Sequence, residues 1–244
     1  WERYISHSVS ALVVFLMSSV VLFEGFICVL FFMPIYFLVV TLAFVAHGIS
    51  VALDARKNRT LSLAIPLLVA VLSVEGTVDV TTLDRRATGA ATAITDKSPQ
   101  QLLQNLATPF ELRASTDWML GLFPMPHTIE AGSLQPGDVH RVHTRYHRWF
   151  VTNTHEGVIE MRIDSVAPGQ VSLSVIRDTS YFSNYIRLDG SEIRFAVDEQ
   201  GRTAVSIEIR YERLLDPAWY FRPIQNHAMD AMASHLIEEV VIRD

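Results

Sequence analysis

Apolar and polar residues alternate with a period of two along four stretches in the second half of the chain. Ile159, Met161 and Ile163 alternate with Glu160 and Arg162, and Val171, Leu173 and Val175 with Ser172 and Ser174. Ile193, Phe195 and Val197 alternate against Arg194, and Val205, Ile207, Ile209 and Tyr211 against Ser206, Glu208 and Arg210. Each stretch predicts a strand with one buried and one solvated face. Turns are predicted at residues 153–157, at Ala167-Pro168-Gly169, at Leu188-Asp189-Gly190 and at residues 198–201, where Gly, Pro, Asn and Asp gather. From His127 onward this predicts an antiparallel meander of about six or seven strands. Upstream, residues 87–95 predict a further strand, and Asp96-Lys97-Ser98-Pro99 caps a short helix, QQLLQNLA.

The period lengthens after Arg213. Asp216 followed by Pro217 signals a helix start, with an acceptor side chain at the cap and then a residue of preset φ with no N–H to lose. The helix is expected to run to about Val241, long enough to cover the apolar face of the sheet. On a wheel of 3.6 residues per turn, Tyr220, Phe221, Ile224, Ala228, Ala231, Met232 and His235 share one face, with Arg222, Asn226 and Asp230 opposite. Trp219 and Ile237 fall away from this stripe. Large side chains flank Ala228 and Ala231, so the helix must either approach its neighbour closely there or leave a space.

The first third has no such alternation. Between Ser8 and Leu53 the only acid or base besides His47 is Glu24, and the run is about twice the length that crosses a ~30 Å hydrocarbon core. It predicts two membrane helices, near residues 8–30 and 35–53, with Pro34 as the hinge and Glu24-Gly25 as the other possible turn. Residues 60–76 are apolar again and predict a third, short span containing Pro66. Arg56, Lys57 and Arg59 put the intervening loop in the cytoplasm by the positive-inside rule, and hence everything after Gly76 outside it. The predicted organisation is a membrane domain of two to three helices over residues 1–77, a linker over 78–86 and an α+β domain over 87–244. The predicted localisation is a bacterial inner membrane, with the second domain on the periplasmic side.

Composition narrows the functions open to this chain. With 20 Lys and Arg against 26 Asp and Glu, the net charge of −6 leaves no basic footprint for a nucleic acid. A single cysteine, Cys28, permits neither an intrachain disulfide framework nor a cysteine metal cluster.

The order of elements, strand, short helix, antiparallel meander and long C-terminal helix, resembles the START-like, helix-grip fold of the SRPBCC superfamily, which includes polyketide cyclase/dehydrase-type and lipid-transfer proteins. Ala93-Ile94-Thr95-Asp96-Lys97-Ser98-Pro99 running into Leu102 and Leu103 carries the resemblance at the first strand and helix. Leu188-Asp189-Gly190, Gly201-Arg202-Thr203, Tyr211-Glu212-Arg213 and Asp216-Pro217-Ala218-Trp219-Tyr220 carry it further on, over residues 87–241 in all. Bacterial polyketide cyclase/dehydrase-like members with N-terminal membrane spans are the most similar. The segment RVHTRYHRWF, residues 141–150, is more basic and His-rich than that family's cavity walls.

The resemblance implies a cavity between sheet and helix that takes a hydrophobic small molecule or lipid. Phe195, Ile207, Ile209 and Tyr211 from the strands and Ile224, Ala228, Ala231 and His235 from the helix are the candidates for its lining; the same residues could equally be plain core. For catalysis, His235 near Tyr211 is the candidate general acid or base, because imidazole titrates near neutrality. No nucleophile, base and orienting group are set together in the sequence, which favours binding over turnover. His140, His143 and His147 suggest a metal, but alternation along a strand turns His140 away from the other two, and Arg141, Arg145 and Arg148 oppose a cation. No metal and no cofactor are expected. The expected function is a non-catalytic, membrane-anchored carrier of a hydrophobic ligand, its partners the bilayer and that ligand. An accessory subunit among other membrane subunits, or a cyclase/dehydratase-type enzyme, are the alternatives.

Overall fold

The computed structural model describes residues 2–21, 26–52, 74–76, 81–147 and 154–243. The chain separates into two units, Trp1–Thr81 and Thr82–Asp244.

In the first unit, helices α1 (Glu2–Val21) and α2 (Phe26–Ala52) form a hairpin. Tyr4 near the start of α1 hydrogen-bonds the Thr41 hydroxyl at 2.6 Å, and its ring meets Phe44 at 5.0 Å, so the two helices run side by side in opposite directions. Pro34 lies inside α2 and is not a hinge. Proline costs the helix one N–H···O bond and some steric crowding, and a long helix can absorb that. The predicted boundary at residues 30–35 therefore moves to the segment between Val21 and Phe26; Glu24 and most of the run 60–76 lie outside the described residues.

Among the described residues, no helix is long and apolar enough to cross a membrane. On the described residues this overturns the predicted integral-membrane localisation with a periplasmic second domain, and nothing in them supports the predicted membrane anchoring or bilayer partner. Apolar side chains are exposed on both helices, among them Ile5, Val9 and Val13 on α1 and Leu38, Leu42 and Val45 on α2.

The second unit is α+β. Its strands are β1 (Arg86–Thr95), β2 (Phe110–Glu111), β3 (Met125–Glu130), β4 (Val139–His147), β5 (Thr154–Ala167), β6 (Gln170–Asp178), β7 (Ile186–Val197) and β8 (Thr203–Arg213). They form one antiparallel sheet in the order β1-β8-β7-β6-β5-β4-β3-β2, a meander of β2 to β8 with β1 returning to pair with β8. Ala167-Pro168-Gly169 and residues 198–201 turn the chain as predicted; Gly201 takes φ +79, a left-handed value that suits glycine. Two predicted turns are strand instead. Gly157 lies within β5, and Leu188-Asp189-Gly190 is a bulge inside β7, with the register shifting between Leu188 and Gly190. A Cβ on Gly190 would stand 2.2 Å from the Leu173 carbonyl oxygen, so glycine here lets neighbouring backbone come close where the strand bends.

Helix α3 (Pro99–Leu106) starts on a capping box. The Ser98 hydroxyl accepts from the Gln101 N–H, and the Ser98 N–H donates to the Gln101 side chain at 2.9 Å. The long helix α4 (Ala218–Leu236) begins where predicted, but Asp216 does not cap it. Its carboxylate instead holds the Arg85 guanidinium, fixing the approach to β1. The last turn, Ile237–Val241, widens to π-helix, with Ile242 N–H donating to the Ile237 carbonyl at 2.8 Å. Ile237, expected outside the stripe, follows buried Ala233 by one helical turn and is buried with it, while Trp219 is exposed. Carbonyls left over at this helix end are taken by Asn105, which donates to Val241 O at 2.8 Å, and by Lys97, which donates to Ile242 O at 2.9 Å.

Candidate functional site

Whether the helix approaches the sheet or stands off has a different answer at each side of it. Against β1 it comes very close: a Cβ on Gly89 would lie 2.4 Å from Met229 Cβ and 2.6 Å from its backbone carbon. Asp230 reaches over the same strand and accepts from the Ala90 N–H at 2.8 Å. Towards β4 to β7 the curled sheet leaves a cavity of about 160 Å³. An engineered apolar cavity of roughly that volume holds a benzene ring, so the space is large enough for a small apolar molecule.

Side chains from six strands line it: Ile129 of β3; Val142 of β4; Ile159 and Met161 of β5; Leu173 and Val175 of β6; Ile186, Leu188 and Ile193 of β7; and Ile207 and Ile209 of β8. Met229, Met232 and Leu236 form the roof, with Val240 and Val241 from the π turn and Leu106 and Phe110 at one end. Phe182, from the 3-10 turn Tyr181–Asn184, also lines it and stacks on Phe123 at 6.2 Å. Among the described residues the polar side chains of the lining are His140, Thr144 and Ser191, with no Asp, Glu, Lys or Arg. His140 Nε2 lies 3.3 Å from the Ser133 carbonyl, and the Thr144 hydroxyl donates to the Gly157 carbonyl at 3.2 Å.

Of the residues proposed from sequence, Ile207 and Ile209 line the cavity. Phe195 is buried in the core cluster outside it. Ala228 and His235 are buried, Ile224 and Ala231 half-buried, and none of the four reaches the lining. The buried face of α4 is Ala218, Phe221, Gln225, Ala228, Met229, Met232, Ala233 and His235, turned by roughly 60° from the predicted stripe at 100° per residue. Asn226, expected on the polar face, accepts a hydrogen bond from Tyr211 at 2.9 Å.

Tyr211 thus ties β8 to α4. Burial, with Asp230 nearby, pushes its phenol up to about 12, the reverse of what a proton donor working near neutrality needs. Folding favours the neutral phenol, so its contribution is complete below pH 10 and is lost as pH rises through 12. Comparing urea stability of the native chain and a Tyr211→Phe variant across that window should show a steeper fall for the native chain. At neutral pH the variant should lose about 1 kcal/mol with the hydrogen bond. Equal slopes for the two proteins would rule out this account of Tyr211.

His235 Nε2 is buried without a hydrogen-bond partner among the described residues. Of the three histidines considered for a metal, His143 Nε2 lies 2.9 Å from the half-exposed carboxylate of Glu130, on the outer face of β4. His140 points the other way, into the cavity. Sequence reasoning passed over His140 and Thr144 as cavity residues although the signal was present: on β4, His140, Val142, Thr144 and Tyr146 share one side, and His143 shares the other with Arg141 and Arg145. It also passed over Met229 and Leu236, which with Met232 keep the i, i+3, i+7 spacing of a helix face.

No family model and no curated protein matches this chain. Among solved structures it is similar to a Chromobacterium violaceum protein, at 13% identity over 64% of this chain and 98% of that one, with a TM-score of 0.37. It is similar to the major latex-like protein 151 of Panax ginseng, at 10% identity over 63% and 99% of the two chains, with a TM-score of 0.33. A third is the Zhui aromatase/cyclase from Streptomyces sp. R1128, at 11% identity over 63% and 96%, with a TM-score of 0.33.

Proposed function

We propose that the second unit binds an uncharged hydrophobic small molecule in the cavity under α4, and that it holds this ligand without transforming it. The observation that carries the reading is the lining: about 160 Å³ bounded by aliphatic, methionine and phenylalanine side chains, with three polar side chains, His140, Thr144 and Ser191. Apolar walls with a few placed polar groups are what small-molecule sites share, and a carboxylate or ammonium entering here would lose its hydration with no opposite charge to replace it. The two polar groups on β4 are held by backbone carbonyls, not by each other, an arrangement suited to orienting a ligand rather than relaying a proton. Tyr211 and His235, the catalytic candidates from sequence, stand outside the lining.

The test is titration of the full chain with N-phenyl-1-naphthylamine, an uncharged dye that fluoresces in apolar surroundings. One saturable site per chain is expected. Met232→Trp places a larger ring in the roof of the cavity and should weaken the dye at least tenfold while the circular dichroism of the fold is kept. Binding of the dye to Met232→Trp at native affinity, or no saturable site in the native chain, would overturn the proposal.

A further inference from the structure

The cavity's polar atoms are not interchangeable, because hydrogen bonds already made decide which can donate. His140 is only 6% exposed and lies on the cavity wall. Its Nε2 faces the Ser133 carbonyl at 3.3 Å, and a carbonyl oxygen can only accept, so the ring proton resides on Nε2. In the neutral imidazole Nδ1 is then a lone-pair acceptor, and the hydrogen bond His140 makes among the described residues is the one on Nε2. Thr144, two strand repeats along β4 and 2% exposed, spends its proton on the Gly157 carbonyl and likewise keeps only lone pairs. The β4 wall therefore offers acceptors and no donor.

On the reading that the cavity binds a hydrophobic ligand, we infer that this ligand carries a hydroxyl group which donates to His140 Nδ1. Ketones, ethers and esters of the same shape can take at most the Ser191 hydroxyl on β7 and leave Nδ1 unpaired, so they forgo a hydrogen bond that an alcohol or phenol makes. Carboxylates add a buried charge with no cation in the lining. The class selected is an apolar alcohol or phenol.

The experiment compares 2-naphthol, 2-methoxynaphthalene and 2-naphthoate by calorimetry on the full chain at pH 8, where an ordinary imidazole is neutral. The first two differ only in whether the oxygen carries a proton. 2-Naphthol should bind five- to tenfold more tightly than its methyl ether, about what one neutral hydrogen bond contributes, and 2-naphthoate should be the weakest. In His140→Phe the preference for the naphthol should shrink to within about twofold. Should that variant fail to fold, nitrogen NMR of native chain with labelled histidine gives the same answer: the Nε2–H tautomer in the free protein, and an Nδ1 shift with 2-naphthol that the methyl ether does not produce. Equal affinity for 2-naphthol and its ether, or an Nδ1–H tautomer, overturns the hydroxyl inference and leaves the cavity reading intact. Absence of any binding by both naphthalenes and the dye overturns the cavity reading, and this inference with it.

Discussion

A Gly89→Val variant is expected to lose about 3 kcal/mol of stability or more, at the upper end of what overpacking costs. The reason is what the new side chain meets. A single Cβ at this position would stand 2.4 Å from Met229 Cβ, 2.6 Å from the Met229 carbonyl carbon and 2.8 Å from its oxygen. A flexible side chain can swing away from such a contact, but the backbone of a long helix cannot. To relieve it, α4 must lift from β1, breaking the Ala90 to Asp230 hydrogen bond and disturbing the roof that Met229 and Met232 make over the cavity. The dye affinity should therefore fall together with the melting temperature. Gly121→Ala is the control: nothing lies within 4 Å of a Cβ there, and its stability should stay within about 0.5 kcal/mol of the native chain. A Gly89→Val protein that melts with the native chain would mean that helix and strand are not in contact at this point.

Arg213→Ala should cost about 3–5 kcal/mol, measured by urea unfolding, since it empties a large buried volume and strips the donor from two backbone carbonyls. Arg213 is 0% exposed at the end of β8. Its guanidinium donates to the Asp84 carbonyl at 3.2 Å and the Leu215 carbonyl at 3.4 Å, and among the described residues it has no ion pair. These bonds join the segment before β1 to the segment before α4, so Arg213 holds both approaches to the helix. Among the described residues its Nε has no partner, so the cation is only partly compensated for its lost hydration. Two effects then compete in Arg213→Met: the stem volume is kept, and the desolvation cost of the charge disappears, while the carbonyls lose their donors. Retained volume and relieved desolvation together outweigh the lost donors, so Met should recover at least half of the loss seen with Ala. A change below 1 kcal/mol for Arg213→Ala would show that the side chain is not part of the core.

Period-two patterning was enough to find β5 to β8 because each strand must put alternate residues into the core whatever lies next to it. It misread Gly157 and Leu188-Asp189-Gly190 as turns, because a glycine that permits close backbone approach inside a strand looks the same in one dimension as a glycine that permits a turn. The C-terminal helix was legible in its start and length but not in its phase. The predicted stripe was centred near Ala228 and His235, and a turn of roughly 60° is enough to replace Ile224 and Ala231 by Met229 and Leu236 at the cavity. Nothing within one helix sets that angle; the contact of Met229 with Gly89, on a strand far away in the chain, does. The acceptor role of Asp216 was misassigned for the same reason: its partner is Arg85, far off in sequence and adjacent in the fold.

What the sequence determined by itself is local and periodic: the α+β class, the strands β5 to β8, the capped start of the short helix at residues 96–99, and the long closing helix. These follow from hydrogen bonds and alternations within a few residues of each other. The cavity and its chemistry were decided only in three dimensions. They depend on how far the sheet curls, on which side of the helix it grips, and on which distant carbonyl occupies each polar group. His140 is a surface-or-core ambiguity in the sequence and an oriented acceptor in the fold, because the Ser133 carbonyl holds its other nitrogen.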